Sequence, residues 1–516
     1  MQLASWFSTK GLANKPYHIA AAVLVVALGA LFYWPYLSRM PSGYHSWAQG
    51  DRLALAINFY DYGFNFWKPR TSDIGSIGGV TGVEFPLQAY MAAVGGLLFG
   101  RSSINTVFRV LDVSVTLLGF FYLFRLIFER TNHFVAALVP ACFLLSSASF
   151  VFYAGNYLPD PFSLSLSFVG YYYWLRFFDE RHFRHLAVGI VVLTLASLIK
   201  TTTALFLISA MAIVIGWCYF QPELLTRRQK MWFVALAASS VSAIAGFFYH
   251  NQQLNTYHQA TLFLSELRPI TDSDMFHHTW RALKGYVGTE SATRTQQRVI
   301  WACVALFLVF LLPNLRRRLP LVLLVGAAVP IAYAFFWQMG SQLIVHDYYT
   351  ICSFAPLAVL LLLLALLNLG SYRGWYKWAT SIGLAALSIL MVRDGYQRLH
   401  KRMAEQDYAW LQGSSQQLTE HGIAPTTNIY VLGDPAPNTS LVCADRRGLV
   451  WSEVAGMSPD LMANLMARHN IEYVVMHHAV YHDSLATQHA AWNEVFAPVM
   501  KTPFVVMRLR NMNRPW

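Results

Sequence analysis

The sequence predicts a mostly α-helical, polytopic membrane protein of about eleven spans that ends in a small α/β domain. Three observations carry this. Of the 516 residues, 56% are hydrophobic and only 12% charged, about half the charged share of a soluble domain. Apolar runs of spanning length recur from the N-terminus to about residue 392. After Arg393 the composition turns polar, and the short runs NIYVLG, SLVCA, IEYVVM and FVVMRLR read as strands between helix-compatible stretches.

The spans read as 17–36, 104–128, 133–153, 161–178, 186–199, 203–220, 231–249, 298–313, 320–337, 351–369 and 377–392. The first follows Lys10 and Lys15 with no small-residue cleavage site after it, so it is expected to be a retained helix. The run PLQAYMAAVGGLLFG, 86–100, is shorter than a span and carries three glycines. The catalytic membrane domain is expected to cover 1–394, with outer loops 37–103 and 250–297, and the soluble domain 395–516.

Net charge is +12, but the cations cluster in short loops between apolar runs, as in a membrane protein oriented by its positive side. No nucleic-acid partner is expected; the lipid bilayer is. Arg181 with Arg184, Arg227-Arg228 with Lys230, Arg316 to Arg318, and Arg373 with Lys377 form these loops. All fall on the side of Lys10 and Lys15 if 86–100 lies in the interface instead of crossing. The segments 37–103, 154–160, 250–297, 338–350 and the tail then face outward. Four of the five cysteines lie in apolar runs and no metal-ligand spacing occurs, so neither a disulfide framework nor a zinc site is indicated.

The outward face gathers the unusual polar chemistry. Asp51 precedes an alanine-rich helical stretch, Glu84 lies two residues before Pro86, and Asp160 stands between Pro159 and Pro161 at the start of a span. Each alone reads equally well as an ordinary acid near a helix N-terminus. Together they are a set suited to deprotonating a poorly acidic hydroxyl. Lys200 interrupts an apolar run, where an ionisable group is costly and marks function by default, though a snorkelling lysine is the simpler reading. His346-Asp347-Tyr348-Tyr349 is more polar than an interfacial aromatic belt requires. With Arg52, these cations and tyrosines are suited to an anion. No P-loop, Rossmann fingerprint, GxSxG or HExxH is present. No cofactor is called for, although three carboxylates are also a set able to hold a divalent cation.

The order of these motifs resembles the membrane-embedded GT-C glycosyltransferases. An acid after the first span is followed by E-F-P-L before a short helix ending L-F-G, then Y-L-P-D-P-F, a lysine at a span end, and H-D-Y-Y before a late span. The likeness covers about residues 40–365. It is nearest the bacterial family-39 proteins, related to protein O-mannosyltransferases and the lipid A aminoarabinose transferase. Many of that branch carry W-R-Q-A-D where this chain reads Trp47-Ala-Gln-Gly-Asp51. The tail stretches GDPAPN and DRRGLVW are similar to the small outer domain of some members.

The resemblance implies an inverting transfer of a hexosyl or pentosyl group from a polyprenyl-phosphate sugar donor to a periplasmic glycan, lipid or protein acceptor. It places the chain in a bacterial inner (cytoplasmic) membrane, N-terminus cytoplasmic and C-terminal domain periplasmic. Asp51 would be the base, with Glu84 and Asp160 as the other catalytic acids. Arg52, Lys200, His346, Tyr348 and Tyr349 would bind the donor phosphate. A multi-span transporter or a non-catalytic sugar-lipid-binding protein are the competing classes. The acids at span ends and the absence of paired broken-helix halves weigh against transport.

Overall fold

The computed structural model describes residues 15–263, 267–369 and 374–511. Lys10 and Arg373, which helped to orient the chain above, lie outside the described residues, as do 264–266 of the second outer loop. Among the described residues, six helices are long and apolar enough to cross a membrane: Lys15–Tyr36, Arg101–Thr131, Thr201–Phe220, Arg227–His258, Arg318–Met339 and Trp375–Met403. Shorter apolar helices are Leu87–Phe99, Phe134–Leu145, Phe183–Ile199 and Ala355–Asn368. The expected helical membrane protein with a C-terminal α/β domain is the fold observed.

The chain forms two compact units. One holds Met1–Leu37, Val110–Phe248 and Ser265–Lys401; the other holds Ser38–Arg109, Tyr249–Leu264 and Arg402–Trp516.

Two details of the first unit differ from the sequence reading. The expected span 133–153 is interrupted: Phe134–Leu145 ends, and a second helix, Ala148–Tyr153, restarts with Ser147 accepting from the Phe150 amide. The expected spans 298–313 and 320–337 share one helical stretch of 46 residues, Arg294–Met339. A straight helix of that length would measure about 69 Å. Yet Ile300 lines a cavity with Ala355 and Ala358, and the Phe335 ring lies 6.2 Å from that of Tyr349. Between them, Arg318 donates to the Leu367 carbonyl near the other end of the Ala355–Leu369 helix. The stretch therefore makes two passes. Prolines at 313 and 320 bracket the three arginines and remove helix hydrogen bonds there.

Pro159–Glu180 and Phe183–Ile199 form an antiparallel pair, joined through Arg181 in the left-handed conformation. Their contact runs through glycine. A Cβ on Gly170 would lie 3.2 Å from the Gly189 carbonyl oxygen, and one on Gly189 would lie 3.0 Å from the Gly170 carbonyl oxygen. Small residues let helix backbones approach where lipid offers no hydrophobic drive. Because the pair is antiparallel, the start of the first helix and the end of the second share one end of the bundle.

In the second unit, the Leu87–Phe99 helix has 13 residues, about 20 Å against a hydrocarbon core of about 30 Å, too short to span. The tail folds as a five-stranded sheet in the order β2-β1-β3-β5-β4, with β1 Ile429–Leu432, β2 Gly448–Trp451, β3 Tyr473–Met476, β4 Phe496–Met500 and β5 Val505–Leu509. Strands β2, β1 and β3 run parallel, and β5 is antiparallel to both β3 and β4. Alternate residues of β1 serve two cores. Tyr430 and Leu432 pack with Met462, Met466 and Trp492, whereas Ile429 and Val431 pack with Leu418, Leu441 and Phe504.

The expected strand SLVCA is instead part of the Thr439–Ala444 helix, because a short buried apolar run has no periodicity to separate the two states. The second strand is GLVW, which begins at a glycine whose Cβ would meet the Ile429 carbonyl oxygen at 1.7 Å. Strand β4 contains Pro498, tolerated because it is an edge strand with a register shift beside that proline.

The glycine contact gives a direct test. Gly189→Val must displace the Trp174 backbone at 3.0 Å, so it is expected to cost about 1–3 kcal/mol. Gly216→Val, with nothing within 4 Å, should leave the melting temperature of the detergent-solubilised protein unchanged.

Candidate active site

The candidate residues fall into two clusters, one in each unit. In the second unit, Asp51 is not a helix cap. Its helix, Ser46–Asp61, begins five residues earlier, and the Asp51 side chain is buried within it. The preceding glycine explains how another element reaches it. A Cβ on Gly50 would lie 2.2 Å from Thr439 Oγ1 and 2.7 Å from Thr439 Cα. This close approach brings in Asn438, whose Nδ2 donates to Asp51 Oδ1 at 2.8 Å. Asn438 Oδ1 accepts from the Asp73 amide at 2.8 Å, and Thr439 Oγ1 donates to the Ser46 carbonyl at 2.9 Å.

Burial pushes the Asp51 carboxyl up to about 7. The Asn438 amide and the Arg52 guanidinium restrain that rise, and Asp73 adds to it. Burial likewise raises Asp73 to about 6, against the Gly75 amide and Arg447. Arg52 Nη2 donates to Glu84 Oε2 at 2.5 Å, and its guanidinium lies 5.0 Å from the centre of the Phe263 ring. The loop carrying Glu84 is clamped from the 249–263 segment. Asn251 donates to the Val83 carbonyl, and Asn255 accepts from the Gly82 amide at 2.6 Å. Arg52 thus joins two of the three predicted acids through side chains on one unit.

The first unit assembles Asp160, Lys200, His346, Tyr348 and Tyr349. Asp160 lies in the first turn of Pro159–Glu180, and Lys200 terminates Phe183–Ile199. Helix dipoles favour an anion at the former position and a cation at the latter. Lys200 Nζ stands 3.3 Å from Asp160 Oδ2, both side chains buried. It also lies 5.7 Å from the ring centre of Tyr348 and 5.1 Å from that of Tyr349. The His346 ring is 5.3 Å from Tyr348 and 4.9 Å from Tyr349. Asp347 is the anchor, accepting from Ser149 at 2.9 Å and from Tyr153 at 2.7 Å. The simple reading of Lys200 as a snorkelling lysine fails, since its head group is held inside by a carboxylate and two rings.

Sequence reasoning missed Asn438 and the donors of Asp347. Asn438 is 387 residues from Asp51, and nothing local in GDPAPN announces that pairing. Glu180, His182 and His185 were also passed over. Their ligand atoms lie within 4.8 Å of one another, with Glu180 also held by Arg176. They sit at the Arg181 turn, the other end of the helix pair from Lys200.

The raised carboxyls set the sign of a pH effect. With folded values of about 7 and 6 against an ordinary 3.8, the folded state binds more protons than the unfolded one between about pH 4 and pH 7. Stability from these groups is therefore present at the acid end of that window and lost as pH rises through it. Wild type is expected to melt at least about 2 °C higher at pH 5 than at pH 8. Asp51→Asn should flatten that slope, and identical slopes in the two proteins would refute the assignment.

The family model described as dolichyl-phosphate-mannose-protein mannosyltransferase matches residues 84–247, a stretch that contains Glu84, Asp160 and Lys200. No curated protein matches the chain by sequence. Among solved structures, the crystal structure of ArnT from Cupriavidus metallidurans bound to undecaprenyl phosphate is similar with a TM-score of 0.59 at 12% identity. The match covers 96% of this chain and 99% of that one. Its apo state gives 0.58 at 12% identity, over 98% and 100%. The archaeal oligosaccharyltransferase AglB from Archaeoglobus fulgidus, in complex with an inhibitory peptide and a dolichol-phosphate, gives 0.50 at 12% identity, over 97% and 75%. The chain is a multi-pass helical membrane protein with the fold of the GT-C glycosyltransferases, related in fold to ArnT and AglB and, over residues 84–247, in sequence to the protein mannosyltransferases.

Proposed function

We propose that the protein is an inverting membrane glycosyltransferase that moves a sugar from a polyprenyl-phosphate donor to an acceptor hydroxyl on the outer face, a glycan or lipid ahead of a protein. The observation that carries this reading is Asp51. It is a buried carboxylate poised near neutral pH, the range in which a general base is most effective. The similar structures hold undecaprenyl phosphate and dolichol-phosphate, and the matching family is described by a dolichyl-phosphate sugar. A lipid-activated donor also accounts for the missing nucleotide motifs.

The chemistry runs as one displacement. The acceptor hydroxyl gives its proton to Asp51 as its oxygen bonds to the anomeric carbon. The bond from that carbon to the phosphate oxygen breaks, and its electrons leave on the polyprenyl phosphate. The cluster of the first unit, Lys200 with the hydroxyls of Tyr348 and Tyr349 and with His346, has the chemistry to bind a leaving phosphate, a task for preorganised donors. Asp160 would hold Lys200 in place, and Glu84 would do the same for Arg52. An apolar cavity of about 200 Å³ in the first unit, lined by Phe143, Phe150, Leu283, Ile300 and Phe354 and reaching Thr350, has room for a short stretch of an isoprenoid tail. In this reading the basic loops face the cytoplasm and the α/β domain lies in the periplasm of a bacterial inner membrane.

The test is turnover in lipid nanodiscs with a panel of undecaprenyl-phosphate sugars and a cell-envelope extract, following release of undecaprenyl phosphate. Wild type should release it, Asp51→Asn should be slower by about 10² or more, and Lys200→Ala should also lose rate. A donor that binds and raises the melting temperature without being consumed would turn the reading to a sugar-lipid-binding protein. If no donor binds, the reading fails.

A further inference from the structure

We infer that Asn438, in the C-terminal α/β domain, is a positioning residue for Asp51, so that this domain belongs to the acceptor-activating machinery. The inference rests on the reading of Asp51 as the base, but it makes a separate claim about which residue aims that base.

The geometry assigns the role. Asn438 is fully buried, and both ends of its amide are committed. Nδ2 donates to Asp51 Oδ1, and Oδ1 accepts from the Asp73 amide, each at 2.8 Å. Flipping the amide would set oxygen against carboxylate and N–H against N–H, so its orientation is determined by its partners. The residue is also held firmly. It precedes the Thr439–Ala444 helix and follows β1, all four residues of which are buried. The intervening turn is braced by Asp434 Oδ1, which accepts from the Ala436 amide at 2.9 Å and from the Tyr408 hydroxyl at 2.6 Å.

With Oδ1 held, Oδ2 is the atom left to take the acceptor proton. The charged groups facing Asp51 are Arg52 on its own helix and Asp73 on the adjoining loop, with Arg447 acting on Asp73 and Asp73 in turn raising the buried Tyr430 hydroxyl. Of these neighbours, Asn438 alone hydrogen-bonds to the Asp51 side chain among the interactions described. A donor to a carboxylate favours its charged form, so Asn438 also keeps the base usable at neutral pH in a buried setting.

The test uses full-length protein and the donor that turnover identifies. Asn438→Ala should cut release of undecaprenyl phosphate at least about tenfold and move the acid limb of the pH profile upward by about one unit. Binding of undecaprenyl phosphate itself, read as a melting shift, should not change. Asn438→Ser, which keeps a short hydroxyl donor, should move the limb less and serves if the alanine variant folds poorly. Thr439→Ala removes the bond to the Ser46 carbonyl but not the one to Asp51. It should lower the melting temperature and leave the limb in place.

A second readout needs no substrate. Removing the donor raises the Asp51 carboxyl further, so Asn438→Ala should lose more stability at pH 8 than at pH 5. If Asp51→Asn is inactive while Asn438→Ala leaves the limb unmoved, this inference falls and the proposed function stands. An equal limb shift in Thr439→Ala would reduce Asn438 to a structural role. An active Asp51→Asn would remove the base, and this inference with it.

Discussion

Asp51 is an acid held inside a helix and away from water, and the unit that contains it is arranged to make that tolerable. Leaving water penalises the charged form of a carboxylate unless donors and cations replace the lost solvent. Here the replacement comes from Asn438 and Arg52. Each in turn is tied down, Asn438 by the Asp73 amide and Arg52 by Glu84. Gly50 is the residue that permits the approach, since any side chain there would collide with Thr439. In W-A-Q-G-D the glycine is therefore matched to the tail domain, not an incidental departure from W-R-Q-A-D.

The first unit solves the same problem by different means. Asp160 and Lys200 are placed on an antiparallel helix pair whose glycine contact brings the two backbones together. A buried ion pair of this kind contributes little net stability, because desolvation offsets the attraction. Breaking it by removing one partner is far more damaging. Such a pair is better suited to presenting a cation at a defined place than to holding a fold together. The rings of Tyr348 and Tyr349 add an electrostatic surface that a lysine prefers over lipid.

Much of this was legible in the sequence. Long apolar runs give themselves away by length alone, and Leu87–Phe99 was recognisable as too short to span. The strands NIYVLG, IEYVVM and FVVMRLR were readable because β-branched runs bounded by polar stretches are distinctive. SLVCA was not, since a buried run of that length is compatible with helix or strand. The motifs H-D-Y-Y and L-I-K stood out because polar groups are costly among apolar ones.

By itself, then, the sequence determined which segments avoid water and which polar residues are out of place there, because hydropathy is a local property of the chain. Only the tertiary structure decided which of those polar groups are partners. Asn438 reaches Asp51 across 387 positions, Arg52 reaches Glu84, and Lys200 reaches Asp160 through the geometry of an antiparallel turn. Hydrogen bonds and ion pairs are made within about 3 Å in space and depend on no particular separation along the chain, so no local pattern could have announced them.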